Sequence, residues 1–489
     1  MKKAVSVFLA VLMIAAVFSG CAEGSKPVLQ EPAVKEPAVQ ESSKPESSEP
    51  ESPVQTLIEH MPAEKKPLRH GPLRVLVDLD PKGLGANEAT LDDLKWWVTA
   101  AAGIEEEDCV FEWIPTKGAA RDTAIDRLRT EIMSGEGPDV FIVQSDLVYS
   151  DNALFQMPEK AMELGFFLPL DEYIESAEYA EWDKFTEIVM EAGRNEEGQQ
   201  LVPLTYMLPA AMYRKSDVRH TPSQQMTWEE MQNAEELQDA VVRLGAGYTS
   251  FGYEDDPIEF ILGDLADYEN ETLLFTDEEL YIHVTEILEY TEEYLEKKYA
   301  EKRYCTKTHL GAGFNNDGGE GTYSNNGGIM NGLTENDPLT LVPLYSDDGG
   351  STAVITSFAA VNRNTRYPEE AFKVIDLLMS TSRQANSDLF HQFIYPKMDY
   401  KGMPLHEDLM SGQYTMRENY TQDHWSLTDE NFEAVCAVRD TISNVHFTGA
   451  LDIVLESMMR DCFKAYKNGE DYTQIVLDAY STMKKMMGE

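Results

Sequence analysis

Four oxygen-bearing side chains stand where two apolar runs stop. Leu73-Arg74-Val75-Leu76-Val77 gives way to Asp78 and Asp80, and Val140-Phe141-Ile142-Val143 gives way to Gln144 and Asp146. Carboxylates and an amide oxygen accept hydrogen bonds, and carboxylates attract cations, so the set suits a solute rich in hydroxyl donors or a cation and disfavours phosphate. Asp78 and Asp80 have a plainer alternative, which is to cap the helix that follows them. Trp425, in the polar stretch Asp423-His424-Trp425-Ser426, offers a face for stacking, whereas Trp96, Trp97 and Trp228 lie in helical stretches and read as packing residues. Catalysis has no comparable support, since neither a Gly-x-Ser-x-Gly elbow nor a His-Glu-x-x-His zinc helix occurs. Gly83-Leu84-Gly85 starts a dinucleotide loop, but Glu88 stands where its last glycine belongs. The run Asn315 to Gly328 fails the EF-hand spacing and reads as a surface loop. The expectation is therefore a binding protein with no cofactor and no metal, the alternatives being a surface-anchored hydrolase or a sensor or adhesin.

The elements that must position these residues are legible around them. Leu73 to Asp80 reads as a strand stopped by Pro81 and Gly83, and a helix follows from about Asn87 through Trp97 to Ala102. Val110 to Ile114 reads as a second strand, Ala119 to Met133 as a second helix, and Val140 to Val143 as a buried third strand. Strands alternating with helices predict an α/β fold with a parallel sheet, whose ligands sit beyond the carboxyl ends of the strands. Thr227-Trp228-Glu229-Glu230 has the form of a capping box, and a long amphipathic helix is expected after Phe275-Thr276. A second parallel-sheet pattern is expected after Pro203, with late strands near Thr340 and Thr356.

At the amino end, Met1-Lys2-Lys3 and the apolar block Ala4 to Phe18 form an export signal, too short for the roughly 20 apolar residues of a spanning helix. Phe18-Ser19-Gly20-Cys21 resembles a bacterial lipobox with Phe in place of the usual Leu. The resemblance implies that residues 1–20 are a signal peptide and that the Cys21 thiol is lipidated. Residues 21–70 are rich in Pro, Glu and Ser, with repeated Glu-Pro-Ala-Val, and cannot bury enough surface to order themselves. In polyproline form, at about 3.1 Å per residue, such a tether reaches well over 100 Å.

The chain has 489 residues, 42% of them hydrophobic and 10% aromatic, enough for two domains after the tether. Its 40 basic and 87 acidic residues leave a formal charge of −47, which excludes a nucleic-acid partner and favours solubility. Cys109, Cys305, Cys436 and Cys462 match no zinc or redox spacing and leave disulfides and free buried thiols both open.

Six segments, in order, resemble the family 1 extracellular solute-binding proteins, the receptors of ABC importers. They are Leu128 to Asp146 with its Gly135-Glu136-Gly137-Pro138-Asp139 turn; Gly165 to Ile174; Gly198 to Tyr206 leading to Tyr213-Arg214-Lys215; Thr227 to Glu230; Phe275 to Leu280; and Tyr367 to Gln384. The resemblance implies a two-lobed, type II Venus-flytrap fold whose lobes are joined by crossing strands. Lobe 1 is expected to take residues 72–206 and 339–395, and lobe 2 residues 207–338 and 396–489. By motif position Asp146 falls where sugar-binding members often carry an acid, Tyr206 and Met207 follow the crossover proline, and Asn331 lies on the second-lobe strand. The aromatic that follows that strand in the family is missing, with Leu333 or Thr334 near its place. The implied protein is a monomer tethered by the lipid on Cys21 to the outer face of the membrane of a Gram-positive-type cell. It would deliver a solute, a sugar being favoured, to an ABC permease.

Overall fold

Apolar strands with β-branched cores and helices between them build the first half of the body. The computed structural model describes residues 61–62, 64–78, 88–115, 117–144, 152–216, 218–247, 257–298, 306–310, 339–380, 403–406 and 429–488. Strand β1 (Leu73–Asp78), helix α1 (Glu88–Ala102), β2 (Cys109–Trp113), α2 (Ala119–Met133) and β3 (Val140–Gln144) follow the expected alternation. β1 lies between β2 and β3, parallel to both, with Val75 opposite Phe111 on one side and Val140 on the other. The three strands therefore end on one edge.

The turn into β3 shows why its residues are small or polar. Gly135 and Gly137 have φ of 80° and 106°, which a side chain would strain, and a Cβ on Gly137 would meet Ile132 at 3.2 Å. Asp139 accepts the backbone N–H of Arg74 at 2.8 Å and the hydroxyl of Thr365 at 2.6 Å. Asn362 donates to the carbonyls of Glu136 and Pro138 at 3.1 and 2.9 Å. The signature segment is thus a structural clamp that fixes where β3 enters the sheet.

After α3 (Pro158–Glu163) comes the 14-residue β4 (Leu201–Arg214), then α4 (Trp228–Asn233), α5 (Gln238–Leu244), α6 (Ile258–Leu262), α7 (Asp277–Lys298), β5 (Thr306–Leu310), β6 (Leu339–Pro343) and β7 (Ser351–Val361). The chain ends with α8 (Pro368–Met379), β8 (Met403–Pro404), α9 (Asp429–Arg439), β9 (Ile442–Phe447), α10 (Ala450–Asn468) and α11 (Thr473–Met487). Among the described residues the main sheet has nine strands in the order β6-β4-β7-β3-β1-β2, with β5 and β8 paired to β4 and β9 to β7. The expected second parallel sheet after Pro203 is not what forms. β4 pairs antiparallel with β5, β6, β7 and β8, because apolar alternation specifies a strand but not the direction of its partner.

Two hydrophobic cores result. The first gathers β1, β2, β3, α1, α2 and α8, with Tyr206 and Leu208 from β4 and Phe358 and Val361 from β7. The second gathers α4 to α7, α10 and α11, with Ala211 and Tyr213 from β4, Val342 from β6 and Val354 from β7. The two long strands β4 and β7 belong to both. The sequence division assigned 396–489 to the second lobe, whereas Leu405, Val435, Val438, Ile442 and Phe447 pack in the first core. The reason is that β9 lies parallel to β7 and so returns to the main sheet. Only after it does α10 leave for the second core.

Local signals hold where chemistry is local. Thr227 accepts the N–H of Glu230 at 3.2 Å and Glu230 accepts that of Thr227 at 3.1 Å, completing the expected capping box. Thr276 and Glu279 make the same exchange at the start of α7. Trp228 is buried and donates to Glu286 at 3.1 Å, Trp97 packs on the first core, and Trp96 is exposed. No disulfide joins Cys109, Cys436 and Cys462, while Cys21 and Cys305 lie outside the described residues. Among the described residues no helix is long and apolar enough to cross a membrane.

Candidate functional site

The carboxyl ends of β1 and β2 and the segment at Asn152 are drawn together by one guanidinium. Asp78 closes β1, and Arg121, in the first turn of α2, donates to both of its carboxylate oxygens at 2.6 and 2.9 Å. Both side chains are buried, at 6% exposure for Arg121 and 7% for Asp78. The same Arg121 donates to the carbonyl of Pro115, just past β2, and through Nε to the carbonyl of Asn152, both at 3.2 Å. About two turns further along α2, Arg129 holds the carbonyls of Ala153 and Leu154 at 2.5 and 3.3 Å. An arginine presents several donors in a rigid fork, which is what binding three chain segments at once requires.

Asp78 thus forms a buried internal pair with Arg121. It holds Arg121, which in turn bonds to the carbonyls of Pro115 and Asn152. Gln144 ends β3 half-buried, opposite Ser357 of β7.

The crossing between the two cores is the second feature. At its centre, the hydroxyl of Thr205 on β4 lies 2.7 Å from that of Thr356 and 2.6 Å from that of Ser357, both on β7. The register of the two strands shifts at Ser357/Phe358, so the ladder is irregular where the hydroxyls meet. Tyr206 is fully buried in the first core, where burial raises its phenol pKa well above the ordinary value. Its neighbour Met207 is half-buried and packs against the second core. Successive residues of a strand point to opposite faces, and here the faces belong to different cores.

Of the residues singled out in the sequence, the structure thus places Asp78 and Gln144 at the ends of adjacent strands and Tyr206 and Met207 at the crossing. Asp80, Asp146, Asn331, Trp425, the lipidation candidate Cys21 and the Asn315 to Gly328 loop lie outside the described residues. Sequence reasoning missed Arg121, which looks like any polar helix residue until the fold brings Asp78 to it. It also missed the Thr205, Thr356 and Ser357 group, whose members are 151 and 152 residues apart.

Residues 107–393 match the family described as bacterial extracellular solute-binding protein. This chain belongs to that family. No curated protein matches it. Among solved structures, an oligogalacturonide binding protein from Yersinia enterocolitica is 14% identical over 85% of this chain and 98% of that one, with a TM-score of 0.48. A cyclic alpha-maltosyl-1,6-maltose binding protein from Arthrobacter globiformis is 15% identical over 85% and 99%, with a TM-score of 0.46. A de novo designed cysteine esterase is 14% identical over 86% and 98%, with a TM-score of 0.49. At such scores none of the three assigns a solute or a reaction to this chain.

Proposed function

We propose that this extracellular solute-binding protein grips a small carbohydrate between two lobes built on its two cores and presents the closed form to an ABC permease. The observation that carries the proposal is that β4 and β7 each contribute side chains to both cores. Two bodies joined by a few continuous strands can rotate about them, and a ligand touching both favours the closed arrangement by its differential affinity. Closure then serves as the signal that the permease reads.

A carbohydrate is favoured because the chain carries 47 more acidic than basic charges, which opposes an anionic solute, and because strand-end oxygen acceptors suit hydroxyl donors. The residues proposed for this role are Gln144, Asp80 and Asp146, with Asn331, with Met207 at the crossing beside the buried Tyr206, and with Trp425 as a stacking face. Lipidation at Cys21 would keep the receptor at the outer membrane face as a monomer, and so raise its effective concentration at the permease.

A thermal-shift screen against monosaccharides, oligosaccharides, amines, peptides and organic phosphates tests this, since a ligand that binds only the native state raises its melting temperature. The expected result is stabilisation by an oligosaccharide together with a smaller radius of gyration in solution scattering. Stabilisation by an organic phosphate and by no sugar would overturn the carbohydrate assignment, and catalytic turnover of any compound would move the protein into the enzyme class.

A further inference from the structure

Where β9 ends and α10 begins, three buried side chains converge from separate segments. Glu259 of α6, His446 of β9 and Asp452 of α10 each offer a ligand atom, and these atoms lie within 4.8 Å of one another. His446 Nε2 is 3.1 Å from Asp452 Oδ1, while Asp452 Oδ2 accepts the backbone N–H of Gly449 at 2.6 Å. The carboxyl groups of Glu259 and Asp452 are themselves in hydrogen-bond contact. Two carboxylates are acceptors only, so this contact needs a positive particle between them, either a proton or a metal ion.

The surroundings add more negative charge. Glu159 accepts the N–H of Phe447 at 2.7 Å through Oε1, and its Oε2 is buried with no hydrogen-bond partner among protein atoms. Asp264 Oδ1 and His446 Nδ1 are in the same condition. Glu159 and Asp264 both act electrostatically on His446, as Asp452 does. Four carboxyl groups thus share one imidazole in a buried space, an arrangement that is costly unless cations compensate it. The unpartnered oxygens belong to Glu159 and Asp264, and the unpartnered nitrogen to His446, one of the three converging residues.

We propose that Glu259, His446 and Asp452 bind a single divalent transition-metal ion of the Zn²⁺ or Mn²⁺ class, with Glu159 and Asp264 balancing its charge. A nitrogen donor among carboxylates selects this class over Ca²⁺ or Mg²⁺, which favour oxygen-only sets. The ion would join β9, which pairs with β7 in the main sheet, to α6 and α10 of the second core. It is thus a structural tie close to the crossing strands and is separate from the solute.

The test is titration calorimetry and elemental analysis of the full-length protein after treatment with a chelator, using Zn²⁺, Mn²⁺, Ca²⁺ and Mg²⁺ as the probes. One equivalent of Zn²⁺ or Mn²⁺ is expected, with a raised melting temperature. Asp452→Asn and His446→Gln are each expected to weaken binding by more than the ~10–100-fold that loss of an outer-shell partner costs. Should those variants fail to fold, pulsed electron paramagnetic resonance of Mn²⁺ in the unaltered protein is expected to show coupling to an imidazole nitrogen. Absence of tight binding, binding undiminished in folded variants, preference for Ca²⁺ or Mg²⁺, or Mn²⁺ without nitrogen coupling would each overturn the proposal.

Discussion

Replacing Asp78 by alanine separates a structural from a ligand-contacting role for the end of β1. The substitution strands the Arg121 guanidinium, which is 6% exposed and whose other bonds among the described residues are to the carbonyls of Pro115 and Asn152. Removing one partner of a buried pair leaves an uncompensated charge and costs about 3–5 kcal/mol. Replacing Arg121 by methionine in the same chain removes that charge. The double variant is therefore expected to be more stable than Asp78→Ala alone, with a coupling near the upper end of the ~0.5–3 kcal/mol measured for contacting residues.

Equilibrium urea denaturation gives the free energies, and hydrogen exchange localises the loss. Amides of β1, β2 and β3 are expected to lose protection, while those of α7 and α10 in the second core keep theirs. A cost of Asp78→Ala below the ~1 kcal/mol typical of an exposed pair, or a failure of Arg121→Met to offset it, would refute the buried charge pair as a source of stability. A fall in solute affinity with stability unchanged would return Asp78 to the binding pocket.

Two further perturbations probe the cores. His283 on α7 lies 2.6 Å from Asp347 and 3.1 Å from Glu286; burial alone would lower its pKa, but these carboxylates raise it to about 9. Because the native pKa lies above the ordinary 6.5, the stabilisation is complete below about pH 6.5 and is lost as pH rises through about 9. The difference corresponds to at most about 3 kcal/mol, and solvent screening of Asp347, which is 39% exposed, reduces it to about 1–2 kcal/mol. Urea midpoints measured between pH 6 and 10 should show the loss, and His283→Gln should flatten it; an unchanged slope in the variant would assign the dependence elsewhere. On α8, Asp376 accepts the N–H groups of Glu178, Tyr179 and Ala180 and the indole N–H of Trp182, at 2.8 to 3.0 Å. Asp376→Ala leaves four donors without an acceptor and is expected to cost about 4 kcal/mol, with Asp376→Asn recovering less than half; a loss under about 1 kcal/mol, the worth of one ordinary hydrogen bond, would contradict it.

How much of this was readable in advance follows from the range of the interactions. The ends of α2 at Ala119 and Met133, the capping box at Thr227 and the start of α7 after Thr276 depend on residues a few positions apart, and the sequence displays them. The pair of Asp78 with Arg121 spans 43 residues, and the anchoring of residues 178–182 by Asp376 nearly 200. No local pattern distinguishes Asp78 from an acid that faces a ligand. The same limit explains the course of α9 and β9, which lie late in the chain yet pack in the first core because β9 pairs with β7.

β4 runs through both cores. Its 14 residues include Pro203 and Pro209, and proline in the middle of a strand pattern normally argues for an edge or a break. Here Pro203 stands opposite Phe358 on β7, near the register shift, and Pro209 opposite His309 on β5, so different stretches of one strand serve different neighbours. The transfer between cores falls between Ala210, buried in the first, and Ala211, buried in the second. Alternation tells a reader that these two residues face opposite ways, and both are apolar, but it gives no means of knowing that each face has its own core. That information resides in the partners of β4, and it is why the crossing on which the proposed closure depends becomes visible only in the folded chain.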